Sequence, residues 1–281
     1  MKFPPHGWLG LILAGLFWIL NWTLSGERTH WGFFPMWLGY CLTIDALVFY
    51  RTGASLLTRS WRKYVGLFLV SAPVWWLFEA LNLRTQNWTY LGAEKFSSLE
   101  YAFWTTLSFT TVIPAVFGSA ELIASFGFLD RLRRGPVVRP DRLTTIVFFV
   151  AGWVMLALLL AWPRLFFPFI WLSIYFILEP LNVWLGDRSL AEWTQKGDWR
   201  PVISLWLGVL LCAFFWEMWN YFSYPKWVYH VPWGDWFHIF EMPLLGYGGY
   251  LPFALELYAI YHLFVGWSGD KHTEYIRLCL K

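Results

Sequence analysis

Long apolar stretches dominate this chain and limit what it can become. Segments of spanning length fall near residues 7–25, 33–50, 65–83, 99–125, 143–162, 166–186, 201–222 and 237–266. About 20 residues of helix cross the hydrocarbon of a bilayer. In lipid such segments become helices, because every backbone group must be satisfied internally. Composition agrees: of 281 residues 58% are hydrophobic, 14% charged, and 23 are Trp, where a soluble domain carries about 25% charge. The expected fold is an all-α polytopic membrane protein with about eight transmembrane helices. The second segment is short. The eighth is long and contains Pro243, "GYGGY" and Pro252, so it is expected to break, leaving residues 236–242 near the interface. The first is read as a retained span, since it has one lysine before it and no A-x-A-like end.

Basic residues between the spans set an expected orientation. Arg51, Arg59, Arg62 and Lys63 follow the second span, and Arg131, Arg133, Arg134, Arg139 and Arg142 follow the fourth. Arg188, Lys196 and Arg200 follow the sixth; Lys2 precedes the first, and Lys271, Arg277 and Lys281 close the chain. The opposite loops hold Arg28, Arg84, Lys95, Arg164 and Lys226. By the positive-inside rule both termini are expected in the cytoplasm of a cell whose inner membrane holds the chain. The formal charge of +3 is thus topology information and gives no reason to expect nucleic acid. Cys41, Cys212 and Cys279 form neither a disulfide framework nor a CxxC site. No glycine-rich nucleotide loop, nucleophile elbow or soluble domain is present, which sets aside ATPase, kinase and α/β-hydrolase chemistry.

The two halves resemble each other. "FPMWLGYCLTIDALVF" runs beside "FPFIWLSIYFILEPLNVW", with Trp37 eight residues before Asp45 and Trp171 eight before Glu179. Glu79, Asn82, Trp88 and Tyr90 match Glu217, Asn220, Trp227 and Tyr229 with a one-residue gap. Pro114 and Glu121 loosely match Pro252 and Glu256. The expectation is a tandem duplication: a four-span repeat over 1–129, a basic cytoplasmic linker over 130–142, and a second repeat over 143–281. An even span number gives both copies the same orientation and a pseudo-twofold along the membrane normal.

Eight of the 18 acids fall in the spans, with no lysine or arginine well inside one. Charged groups at such depth are functional candidates by default; the bland alternative is that they hydrogen-bond neighbouring helices as packing contacts. An outer set combines Glu79, Asn82, Glu217 and Asn220 with Trp76, Trp88, Tyr90, Trp216, Trp219, Trp227 and Tyr229. Carboxylic acids would exchange protons with a substrate while aromatic faces stabilise a cation, by ~0.5–2 kcal/mol each. Glu79 and Glu217 are expected to be the acid/base pair, and Asn82 and Asn220 to orient them. An inner layer comprises Asp45, Glu121, Glu179 and Glu256. No cofactor is expected. The one alternative is a metal at His230, His238 and Glu241, since a His and a carboxylate three apart at a helix start suit Zn or Fe. Asn21-Trp22-Thr23 and Asn87-Trp88-Thr89 match glycosylation sequons, short patterns that recur by chance.

The duplicated acid-plus-aromatic spans, with "WEMWNYFSYPKWVY" followed by "IFEMPLLGYGGYLPFALELY", resemble the lycopene cyclase-domain and carotenoid hydratase group of membrane proteins. The resemblance implies a small, internally repeated polytopic chain that works by acid catalysis on a polyene end group without a metal. The chain lacks the adjacent acids after a proline that the cyclase domain carries, so no catalytic role passes to a residue here. The leading expectation is a membrane enzyme whose partner is a long apolar lipid of isoprenoid type. A proton- or cation-coupled transporter and a non-catalytic lipid- or pigment-binding scaffold stay open beside it.

Overall fold

The computed structural model describes residues 2–24, 30–270 and 274–279; Arg28, Lys271 and Lys281 of the orientation argument lie outside them. Helices carry the fold. The longer ones, in chain order, are α1 (Pro5–Thr23), α2 (Phe33–Thr52), α3 (Trp61–Thr85), α4 (Ser98–Phe109) and α5 (Val112–Ala124), then α6 (Arg142–Ala161), α7 (Ser173–Leu185), α8 (Arg200–Tyr221) and α9 (Tyr247–Trp267). Two four-residue strands, β1 (Trp88–Leu91) and β2 (Lys226–Tyr229), pair as an antiparallel ribbon.

Six stretches among the described residues are long and apolar enough to cross a membrane: His30–Thr52, Trp61–Thr85, Ser98–Ala124, Arg142–Ala161, Pro163–Leu185 and Arg200–Tyr221. Eight were expected from the sequence. The other two expected spans form α1 and α9, 19 and 21 residues long. They have the length, but Trp, Asn21 and His6 in α1, and Glu256, His262 and four tyrosines in α9, dilute their hydropathy. The eighth segment breaks, but ahead of most of the residues expected to break it: Pro243 and Gly246 lie in the non-helical part, while Gly248, Gly249 and Pro252 lie within α9. Residues 230–246 run as loop, the two-residue strands His238–Ile239 and Met242–Pro243, and a 3-10 turn, before α9 begins at Tyr247.

Local chemistry sets several boundaries. Ser60 caps α3 by accepting from the Lys63 amide, and Asp141 caps α6 from the Thr144 amide, each filling an orphan donor of a first turn. Ser97 and Glu100 form a capping box at α4, so Glu100, one of the acids within a span, has a structural task. The last turn of α3 helps to finish α6. Arg84 donates to the Leu160 carbonyl at 2.8 Å, supplying a cation where a helix end leaves carbonyls open.

Small residues let the helices approach. A Cβ on Gly39 of α2 would fall 2.4 Å from the Ala14 nitrogen of α1, and one on Gly208 of α8 would fall 2.5 Å from the Ala120 nitrogen of α5. Backbones pack directly at both crossings, as is common where lipid offers no hydrophobic contrast. The α5–α8 crossing joins the halves through the middle of the bundle. There Tyr40, Ser119 and Cys212 form a buried hydrogen-bonded cluster, with 2.7 Å between the Tyr40 and Ser119 oxygens.

Candidate functional site

The ribbon is where residues 88–91 and 226–229 meet. Trp88 stands opposite Tyr229, and Tyr90 opposite Trp227, so each strand offers its Trp to the other's Tyr. The helix behind each strand holds it. Asn82 donates to the Trp88 carbonyl at 2.8 Å and accepts from the Asn87 and Trp88 amides at 2.8 and 3.3 Å. Asn220 donates to the Trp227 carbonyl at 2.7 Å and accepts from its amide at 2.9 Å. A two-stranded ribbon has two open edges. On each edge an asparagine side chain supplies the donor and acceptor that a further strand would have supplied. The expectation that these asparagines orient the carboxylates is therefore corrected: they clamp the ribbon.

The carboxylates hold the same strands by their side chains. Glu79 Oε1 accepts from Trp75 Nε1 at 2.9 Å, Trp88 Nε1 at 3.1 Å and the Tyr90 hydroxyl at 2.5 Å. Glu217 Oε1 accepts from the Tyr229 hydroxyl at 2.7 Å and the Tyr250 hydroxyl at 2.5 Å. Trp227 Nε1 adds a 2.8 Å bond to the Tyr229 oxygen. Burial, then the neighbouring Glu79, pushes the Tyr90 hydroxyl well above its ordinary value; burial and Glu217 do the same to Tyr229. Both phenols are therefore protonated donors throughout the accessible pH range.

Beside the ribbon lies a chamber of about 190 Å³, open at its mouth. Both halves build it: Trp75, Trp88 and Tyr90 come from the first, Trp216, Trp227, Tyr229 and Tyr250 from the second. Trp88 stacks on Trp171 at 5.9 Å between ring centroids, and Trp216 on Tyr250 at 6.0 Å, which fixes those walls. None of its lining residues among those described is Asp, Glu, Lys or Arg. Glu79 and Glu217 thus sit one hydrogen bond behind the wall, and the polar groups facing the chamber beside them are phenols.

Of the other expected aromatic residues, Trp76 is 38% exposed, bonded to Thr106 and away from the chamber. Trp219 is buried in α8 against Trp37, Tyr40 and Phe215, a packing role. The histidine cluster does not converge. His230 Nε2 lies 3.0 Å from the Thr89 hydroxyl, His238 Nε2 2.9 Å from Asp235, and Glu241 forms an ion pair with Lys226. His238 is in a two-residue strand, so the helical i, i+3 geometry assumed for it is absent. Among the described residues no group of three or more His, Cys, Asp or Glu side chains could hold a metal ion.

The inner carboxylates each have a local explanation except one. Asp45 accepts from the Ser55 hydroxyl at 2.7 Å and the Leu57 amide at 2.9 Å, with His6 Nε2 at 3.1 Å. Glu179 accepts from the Ala191 amide at 2.8 Å. Both tie down the short helix twelve residues on, Leu56–Arg59 or Ala191–Thr194. Glu121 takes Arg59 and the Arg277 amide, the latter at 2.6 Å. Arg59 lies outside its own span yet reaches in, which reading span by span had missed. Glu256 is fully buried, and neither of its oxygens has a hydrogen-bond partner among the described residues.

Residues unforeseen in the sequence complete the chamber: Tyr250, Phe253 and Trp171 on its walls, and Asn21 and Asn87 within them. The asparagines are 2% and 5% exposed, which places both sequons out of reach of glycosylation. Tyr250 follows the break in the eighth segment, a place where an aromatic near a helix start was a usable signal. No family model, curated protein or solved structure matches the chain.

Proposed function

We propose that this chain is an integral membrane enzyme that admits a long apolar lipid of isoprenoid type to the ribbon chamber and acts on it by proton transfer. One observation carries the reading: an aromatic chamber whose phenols Tyr90, Tyr229 and Tyr250 are each backed by a carboxylate at 2.5–2.7 Å. In the bonding direction observed, a substrate proton taken by a phenol oxygen is matched by passage of the phenol proton to the carboxylate. The reverse movement delivers a proton. The surrounding Trp and Tyr faces stabilise the cation that protonating a double bond creates. The phenols would touch the substrate, and Glu79 and Glu217 act through them.

The wider frame is part of the same proposal. Counting α1 and α9 with the six helices above gives eight spans in two tandem copies, 1–129 and 143–281, joined by the basic 130–142 segment. The paired bonds Glu79–Tyr90 with Glu217–Tyr229, Asn82–Trp88 with Asn220–Trp227, and Asp45–Leu57 with Glu179–Ala191 support it. An even span count puts both termini on the side of the basic loops, the cytoplasmic side of a cell membrane.

The test compares lipid extracts of cells expressing wild-type protein, Glu217→Gln and Tyr250→Phe. Loss of a proton-transfer partner should lower product by about 10²-fold or more, with thermal midpoints in mild detergent little changed. A product profile identical across the three would overturn the proposal.

A further inference from the structure

Tyr90, Tyr229 and Tyr250 are spent on carboxylates, Thr105 donates to the Tyr101 carbonyl, and Thr111 to the Ser108 carbonyl. Asn21 and Asn87 differ. Both line the chamber, both are more than nine-tenths buried, and neither the amide nitrogen nor the amide oxygen of either has a partner among the described residues. Leaving a buried polar atom unmade is costly, and a leucine of similar volume would remove the cost. A carboxamide here, twice, makes physical sense if a ligand completes its bonds.

We infer that the chamber's ligand is an uncharged, oxygen-headed apolar lipid, an isoprenoid alcohol or carbonyl, with its head bonded by Asn21 or Asn87. A carboxamide offers both a donor and an acceptor, matching a hydroxyl, or a carbonyl through its N–H alone. It offers no charge, and among the described residues no lysine or arginine lines the chamber to receive a phosphate, His30 being the basic side chain there. A diphosphate-headed lipid would bury its charge among rings, while a pure hydrocarbon would leave both amides unmade. The amide atoms of Asn21 and Asn87 are closed off from water in this structure, so the inference requires each side chain to turn into the chamber to meet the head group. This inference rests on the proposed lipid site and narrows its ligand.

The experiment uses the whole protein in lipid nanodiscs, with retinol bound in the chamber and read by energy transfer from its tryptophans. Three matched twenty-carbon competitors displace it: phytol, phytane and phytyl diphosphate. Phytol should displace retinol at roughly three- to tenfold lower concentration than phytane, the worth of a hydrogen bond or two, and the diphosphate should be the weakest. Asn21→Leu with Asn87→Leu should abolish the preference for phytol, keep phytane binding, and melt at or above the wild-type midpoint. Three results overturn the inference and leave the lipid site standing: phytol and phytane within twofold of each other, the diphosphate tightest, or a preference that survives in the double variant. Failure of retinol and all three competitors to bind would remove the lipid site and the inference together.

Discussion

Replacing Asn220 by leucine separates a clamp from a helper of the carboxylate. Asn220 is fully buried and spends its amide on Trp227 through bonds of 2.7 and 2.9 Å. Because Trp227 turns its amide and carbonyl toward α8, it stands in the ribbon as a pair not hydrogen-bonded to Tyr90, and the asparagine covers that edge at Trp227. Each bond lost costs about 0.5–1.5 kcal/mol net, so Asn220→Leu should destabilise the ribbon by about 1–3 kcal/mol. At tenfold per ~1.4 kcal/mol this becomes roughly 5- to 150-fold faster opening. Hydrogen exchange in detergent should show it at the Thr89 and Val228 amides of the central pair, with α6 and α7 unchanged. Asn220→Asp keeps the acceptor but sets a carboxylate against the Trp227 carbonyl, so it should also loosen the ribbon. If both variants left ribbon exchange at the wild-type rate while folded, the clamp would be disproved and the older expectation, orientation of Glu217, would return.

Two further perturbations test the electrostatics. Arg59→Met strands Glu121, 1% exposed, with only the Arg277 amide. Breaking a buried pair costs about 3–5 kcal/mol, a melting midpoint roughly 6–20 °C lower at ~2–4 °C per kcal/mol. The double change Arg59→Met with Glu121→Met should restore most of it, and a double variant as unstable as the single would count against the pairing. Burial and then the adjacent carboxylates raise the Tyr90 and Tyr229 hydroxyls, whereas an unfolded chain releases such protons near pH ~10. Their stabilisation is whole below pH ~10 and is lost as pH rises past it, because only the unfolded state then gives up protons. A folded Tyr90→Phe, Tyr229→Phe variant should therefore show the same tyrosinate absorbance at pH ~11 as wild type. A fall of two tyrosines would refute the burial argument.

The sequence alone determined that helices long and apolar enough to cross a membrane dominate this chain, most helix limits, a break before α9, and the matching spacing of Glu79 and Asn82 with Glu217 and Asn220. These follow from local quantities: apolar length against bilayer thickness, proline and glycine positions, and spacing along one helix. Tertiary structure decided the rest. Only packing showed that the two Trp-x-Tyr segments form one ribbon, that asparagines close its edges, and that the carboxylates stand behind phenols. It also brought Asn21, Asn87, Trp171 and Tyr250, from distant parts of the chain, to one chamber, and let Arg59 reach Glu121. The physical reason is that lipid is as apolar as the interior of the bundle. A helix apolar all round carries no stripe to tell its inward face from its outward one, so which side chains converge is set by backbone approaches such as Gly39 on Ala14 and Gly208 on Ala120.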